Sequence, residues 1–296
     1  MVSRDLYPFT SQYLDLEGLR YHYVDEGAGD PLVCVHGNPT WSFYYRDLIR
    51  ALRGSHRVVA MDHIGCGLSD KPDDALYPYR LARRVDDLGR LIDHLGLGDN
   101  ITLVLHDWGG MIGMAWAVRN PTRVRRLVLF NTAAFGLPTG KTLPWQIAVV
   151  RNTPLGAILV QGFNAFVHGM LHTCTFRPLT PAVRAGYLAP YRTWSDRRAI
   201  LRFVQDIPLA PQDPSFALVQ EVAAGLTQFR NRPVFIGWGR RDFVFDDTFL
   251  AGWQVRLPQA EVHALTDASH LVLDDAGDRL FPLLEAFLRR NPVSRS

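Results

Sequence analysis

The run Ile101-Thr-Leu-Val-Leu105-His-Asp107-Trp-Gly-Gly110-Met-Ile-Gly-Met-Ala-Trp-Ala117 decides how this chain folds. Residues 101–105 are almost wholly apolar, as expected of a strand buried on both faces of a parallel sheet. Residues 111–117 read as a helix. Between them two glycines allow a sharp turn, and Asp107 stands at its apex. Strand, sharp turn and helix is the setting of a nucleophile elbow, in which backbone N–H groups of the helix N-terminus point toward the apical side chain. That motif prefers a small residue two positions before the apex, where this chain has Leu105. The alternative is an aspartate that only caps the next helix. The groups found elsewhere in the chain decide between the two.

The same rhythm extends outward on both sides. Tyr13-Leu-Asp-Leu and Leu19-Arg-Tyr-His-Tyr-Val alternate around Glu17-Gly18, the pattern of a β-hairpin. Pro31–His36, Arg57–Met61, Arg126–Phe130, Pro233–Trp238 and Glu261–Leu265 are further apolar runs of strand type. A helical pattern runs from Leu81 to Leu95, and a closing helix is expected from Asp278 to Arg290. Strands alternating with helices mean β-α-β units and a mostly parallel sheet. The alternation stops after Asn131, and from Ala134 to Ala224 the chain reads as helical with many aromatics and prolines. The expected architecture is therefore α/β, with an eight-stranded, mostly parallel sheet and a helical cap inserted after strand 6. Residues 1–133 and 225–296 would form the core and 134–224 the cap.

Composition excludes several classes. A chain of 296 residues can bury roughly three quarters of its unfolded surface and needs no disulfide or metal staple. The net charge of +3 is small, and Arg123-Val-Arg-Arg126 directly precedes a strand, so it reads as a solvated edge. Nucleic acid is not an expected partner. Cys34, Cys66 and Cys174 are too scattered for a disulfide framework or a zinc site. Gly65-Cys-Gly67 lacks the third glycine of a nucleotide loop, and no cofactor or metal is expected. No run is long and apolar enough for a transmembrane segment. The opening Met-Val-Ser-Arg-Asp is unlike a signal peptide, so a cytoplasmic location is the expectation.

In open α/β sheets ligands bind beyond the carboxyl ends of the strands, and four spots there carry complementary groups. Asp107 follows the fifth strand. His270, in Asp267-Ala-Ser-His270-Leu271, follows the last and is the expected general base. Asp242, in Gly237-Trp-Gly-Arg-Arg-Asp242, follows the seventh and would orient that imidazole, with Asp246 and Asp247 as alternatives. The other acid position, after strand 6, holds Asn131, which cannot carry the charge. Nucleophile, acid and histidine in this order is the arrangement of the α/β-hydrolase fold. The fourth spot, His36-Gly-Asn38-Pro-Thr-Trp41, brings Asn38. Its N–H pairs with that of Trp108 as an oxyanion hole, and the Asn38 amide and Trp108 indole are uncharged donors for a leaving group. In the cap, Leu155, Leu159, Phe163, Phe166 and Phe203 are candidates to line an apolar tunnel, with Leu271 beside the histidine. A carboxylate at the elbow attacks saturated carbon or a strained ring, because an alkyl-enzyme ester can form and then be resolved.

His-Gly-Asn-Pro-Thr-Trp (36–41), Asp-His-Ile-Gly-Cys-Gly-Leu-Ser-Asp-Lys-Pro (62–72) and His-Asp-Trp-Gly-Gly (106–110) resemble the haloalkane dehalogenases. Asn38 together with an acid after strand seven resembles their third subgroup. Over nearly the whole chain the sequence looks more similar to the cis-β-lactone decarboxylases of long-chain olefin biosynthesis. The matching stretches include Arg151–Gly156, Gly162–Phe166, Tyr187–Tyr191, Leu201–Pro208 and Gly239–Phe245. The resemblance implies Asp107 as nucleophile, His270 as base, Asp242 as acid, and Asn38 with Trp108 as leaving-group donors. It further implies a hydrophobic small-molecule substrate and an assembly with olefin-pathway enzymes. Three other readings stay open: hydrolysis of haloalkanes, an epoxide hydrolase using Tyr187 or Tyr191, and a ligand-binding fold without catalysis.

Overall fold

The computed structural model describes residues 3–293. One eight-stranded sheet runs in the order β1-β2-β4-β3-β5-β6-β7-β8. Its members are β1 (Gln12–Leu16), β2 (Leu19–Glu26), β3 (Pro31–Val35), β4 (Arg57–Met61), β5 (Ile101–Asp107), β6 (Val124–Thr132), β7 (Val234–Gly239) and β8 (Glu261–Leu265). From β4 to β8 neighbouring strands are parallel, and β1 and β2 join antiparallel. The hairpin turns on Glu17 and Gly18, both at positive φ (60° and 87°), which matches the twist of the flanking strands.

Helices cover both faces, and the sheet separates two apolar layers. One layer includes Val33, Val35, Leu103, Leu105, Leu127 and Leu129, the other Leu32, Cys34, Val104, Val128 and Phe235. Successive residues of one strand thus enter opposite layers, which is why these strands read as continuous apolar runs. β8 departs from that expectation: it is an edge strand and only partly buried. The closing helix also begins earlier than its periodicity suggests, at Val272, because a non-helical Ala276 (φ −147°) joins a short first turn to the main run.

Chain order reverses at β3, which pairs with β4 on one side and β5 on the other. The strands' carboxyl ends diverge at such a switch point and leave a crevice. Asn38 follows β3 and Asp107 ends β5, so both stand at that crevice. α1 (Arg46–Leu52), α2 (Leu81–His94) and α3 (Trp108–Arg119) belong to this half of the chain.

Between β6 and β7 lie α4 (Trp145–Asn152), α5 (Pro154–Ala157), α6 (Ala165–Thr173), α7 (Pro181–Leu188), α8 (Arg198–Gln205) and α9 (Phe216–Gly225). The last of these rests on the core: a Cβ at Gly225 would sit 2.4 Å from Val118 of α3. α10 (Asp247–Arg256) and α11 (Val272–Arg290) complete the fold.

The large Leu105 is accommodated by α3 itself. A Cβ at Gly113 would lie 2.4 Å from Leu105 Cδ2, so the helix turns a bare backbone toward the side chain that departs from the usual small residue. Gly113→Ala is expected to lower stability by about 1–3 kcal/mol through overpacking. Adding Leu105→Ala should recover part of that loss in urea unfolding; additive losses would contradict the pairing.

Candidate active site

Asp107 has φ 52° and ψ −126°, a conformation that only the surrounding contacts can hold for a residue with a side chain. Thr132 Oγ1 donates to the Asp107 carbonyl at 2.5 Å. Three glycines let the apex approach its neighbours. A Cβ at Gly37 would lie 1.9 Å from Asp107 Oδ1, one at Gly109 1.9 Å from the Val35 carbonyl, and one at Gly110 1.9 Å from Thr132 Oγ1. The turn therefore exists because glycine occupies these positions.

The carboxylate faces two sets of partners. Asn38 N–H donates to Oδ1 at 2.6 Å, and the Trp108 N–H donates to the same carboxylate. The pair expected to form an oxyanion hole thus holds the carboxylate itself. Oδ2 lies 3.7 Å from His270 Nε2. Burial pushes the Asp107 carboxyl above the ordinary aspartate range, while His270 and the two N–H groups pull the other way. His270 Nδ1 donates to Asp242 Oδ2 at 2.7 Å. Burial alone would lower the imidazole's pKa, yet the Asp242 and Asp107 carboxylates together raise it. Asp107, His270 and Asp242 are thus brought together in one buried chain. Asp246 instead pairs with Lys141 and Asp247 with Arg240.

Several residues to which the sequence assigned no role support this chain. Asn131, set aside for lacking a charge, donates to Asp242 Oδ2 at 3.0 Å and to the Gly239 carbonyl at 2.9 Å, and it accepts the Gly239 N–H at 2.8 Å. One amide locks the acid-bearing loop to the end of β6. His36, held neutral by burial with a pKa lowered to about 4, donates to the Gly37 carbonyl and accepts the His63 N–H, fixing the Asn38 loop. The His106 ring lies 4.6 Å from that of His270, and its Nε2–H donates to the His270 carbonyl. The place of Asn131 at the second acid position and of His36 and His106 inside the motifs was the available signal.

An apolar cavity of about 580 Å³ opens above the carboxylate, within the usual range for small-molecule sites. Asn38, Asp107, Trp108 and His270 line it, with Phe135, Ile147, Leu159, Phe166, Met170 and Phe245 among its walls. Phe245 stacks on the His270 ring at 5.8 Å. The Asn38 side-chain amide donates to the Ile200 carbonyl of the cap at 3.1 Å.

Of the pocket candidates, Leu159 and Phe166 line the cavity and the others do not. Phe163 is 70% exposed, and Leu155 also faces outward. Phe203 is fully buried behind the cavity, with the Arg84 guanidinium 3.6 Å above its ring and Trp108 at 5.4 Å. Leu271 is buried beneath the histidine loop, where its N–H donates to the Cys174 carbonyl. Tyr187 and Tyr191 are also outside the lining, the first bonded to Asp274 and the second to the Thr40 carbonyl. They do not supply the acids an epoxide hydrolase needs.

The family model for the alpha/beta hydrolase fold matches residues 30–277. The chain belongs to the alpha/beta hydrolase fold family. Among its relatives within that family is a cis-3-alkyl-4-alkyloxetan-2-one decarboxylase of Shewanella oneidensis, 49% identical over 96% of this chain and 89% of the relative. Haloalkane dehalogenase 2 of Mycobacterium tuberculosis is 36% identical over 93% of each chain. In three dimensions this hydrolase-fold chain is similar to the haloalkane dehalogenase DatA of Agrobacterium tumefaciens C58. The TM-score is 0.86 at 30% identity, covering 96% of this chain and 97% of DatA.

Removing the Asn131 amide tests the support of this site. Asn131→Ala strands the buried Gly239 N–H and should lower stability by about 1–3 kcal/mol. Loosening of Asp242 should cost up to about 10²-fold in kcat with KM little changed. Unchanged kcat in a less stable protein would mean that Asn131 serves the fold alone.

Proposed function

We propose that this enzyme opens cis-3,4-dialkyloxetan-2-ones and releases a cis-alkene and CO₂. The observation that carries the reading is Asp107 lining an apolar cavity, with Oδ1 held by the Asn38 N–H and Oδ2 3.7 Å from His270 Nε2. The decarboxylase relative directs it to a β-lactone. Asp107 Oδ2 attacks ring carbon C4, and the C4–O bond breaks with its electron pair moving to the lactone carboxyl. The product is an alkyl ester of Asp107 and a free carboxylate on C3. Inversion at C4 sets the new C4–O bond anti to that carboxylate. The C3–carboxyl pair then forms the C3=C4 bond, CO₂ departs, and the aspartate leaves with its original electrons. The two alkyl arms stay on one side throughout, which gives the cis-alkene. No water is consumed.

His270 then acts by charge. Its raised pKa favours imidazolium, which stabilises both Asp107 and the carboxylate released on ring opening. Asn38 and Trp108 line the floor where that carboxylate emerges. In this reading the three buried cysteines, all with thiol pKa values raised by burial, suit the reducing cytoplasm. Association with other olefin-forming enzymes belongs to the same proposal, and co-purification from a native host tests it.

The second reading is halide displacement by Asp107 followed by hydrolysis, favoured by the same two side chains at the cavity floor and by the dehalogenase relatives. The two routes separate at His270. For the decarboxylase, His270→Ala should still form alkene from a synthetic cis-β-lactone, about 10²–10³-fold more slowly and without ester accumulation. For the hydrolase, the same variant accumulates alkyl-Asp107 and halide release stops after one turnover. Their pH profiles also differ. Alkene formation falls at low pH as the raised Asp107 pKa is crossed, and at high pH as His270 loses its proton. Hydrolysis instead requires neutral His270, so it fails as pH drops through the raised histidine pKa. Free halide from 1-bromoalkanes, with the lactone left intact, would overturn the decarboxylase reading.

A further inference from the structure

No Asp or Glu occurs between Asp107 and Asp196, whereas Lys141, Arg151, Arg177, Arg184 and Arg192 fall within the cap part of that interval. Inside it, Pro154 to Thr173 holds no charged Asp, Glu, Lys or Arg, with Arg151 before it and Arg177 after it. A surface helix of a globular protein ordinarily turns charged or polar residues to water. The first half of this segment does not: from Pro154 to Phe163 the exposed positions carry no polar side chain, whereas His168, His172 and Thr173 face water in the second half.

The segment folds as two helical pieces, Pro154–Gly162 and Ala165–Thr173, bent by 76°. By length and composition the pair is apolar enough for a span, but no single helix among the described residues is long and apolar enough to cross a membrane. Its inner residues Val160, Val167, Met170 and Leu171 are buried, and Leu159 and Phe166 line the cavity. On the first piece the outer side is apolar as well: Leu155 is 50%, Ile158 49% and Phe163, just beyond it, 70% exposed. These follow one another by single turns, since Ile158 N–H bonds the Leu155 carbonyl and Phe163 N–H the Ile158 carbonyl. Trp194, 51% exposed, adjoins them, its ring 3.5 Å from the Cβ position of Gly162.

The charges around this ridge are one-sided. Lys141, Arg151 and Arg177 pair with Asp246, Asp213 and Asp267, all outside the acid-free interval. No carboxylate forms an ion pair with Arg184, Arg192 or Arg197 among the described residues. Asp196, the acid nearest Trp194 in sequence, accepts the backbone N–H groups of Arg192 and Thr193.

We propose that this face of the cap docks on an anionic lipid bilayer. Leu155, Ile158, Phe163 and Trp194 enter the boundary between headgroups and acyl chains, and Arg192 and its neighbours meet headgroup phosphates. An exposed apolar ridge bordered by arginines that no carboxylate pairs is the composition of an interfacial anchor. A lipid surface is the occupant because it is uniformly anionic and apolar beneath, and because the ridge continues into the cavity: Ile158 faces out while Leu159, the next residue, lines the wall. Docking there sets the cavity beside the acyl phase, so that a water-insoluble ligand enters without crossing bulk water. The inference does not depend on which electrophile Asp107 attacks.

The test is sedimentation of the full chain with phosphatidylcholine vesicles, with and without phosphatidylglycerol, in the absence of substrate. The chain should bind the phosphatidylglycerol vesicles and dissociate as salt is raised. Ile158→Asp with Phe163→Asp should weaken binding at least about tenfold, and Arg192→Glu by about fivefold or more. Thermal melting and turnover of a short, soluble substrate should be unchanged, because these side chains are exposed and outside the cavity lining. A chain that stays in the supernatant with phosphatidylglycerol vesicles overturns the proposal, as does equal sedimentation of chain and variants. Loss of a protein complex in the double variant, without vesicle binding by the parent chain, would assign the ridge to a protein partner and likewise overturn it.

Discussion

A carboxylate withdrawn from water in a backbone conformation that aspartate ordinarily avoids is the constraint on which the rest of the site depends. Strain of this kind costs on the order of 1–3 kcal/mol and persists only when neighbours leave no alternative. Here they leave none: Gly37, Gly109 and Gly110 permit approaches that no side chain could share, and Thr132 ties down the apical carbonyl. Desolvation of the charge is offset in part by His270 and by the Trp108 and Asn38 N–H groups. The loop after β3, the turn after β5 and the end of β6 therefore form one unit around a single side chain.

The imidazole is governed by the same logic. His270 lies between two carboxylates, 2.7 Å from one and 3.7 Å from the other, and their combined field outweighs its burial. Asn131 then has a physical role despite its neutrality. A second carboxylate at that point would crowd a third negative charge into the pocket, whereas an amide both donates to Asp242 and satisfies Gly239. Asp275 holds the histidine loop against the cap by accepting N–H groups from Ser269, Phe176 and Arg177.

The core elements and the charged groups at their ends were legible in the sequence because buried parallel strands are short apolar runs, and the residues just beyond each run stand at the crevice. Asp107, His270 and Asp242 are found by that placement. The walls of the cavity are not, since they depend on which side of each cap helix meets the core. Phe163 and Phe166 are three residues apart in one aromatic segment, yet one faces solvent and the other the cavity. Phe203 has the composition of a wall residue but is wedged behind Trp108. Phe245 lies against the imidazole from a loop that carries no motif of its own. Leu105 shows the opposite case, an apparent departure from the elbow pattern that Gly113 absorbs on the facing helix.

Such an arrangement suits covalent attack on an apolar electrophile more than proton transfer alone. Asp107 lines the cavity with one oxygen held by the Asn38 N–H, and the imidazole 3.7 Å from the other has its pKa raised by the two carboxylates beside it. Rapid-quench mass spectrometry of a single turnover with a cis-β-lactone examines this most directly. A transient adduct with the mass of the intact lactone, on the peptide containing residue 107, is the predicted result. Complete conversion to alkene with that peptide unmodified at every time point would contradict nucleophilic attack by Asp107.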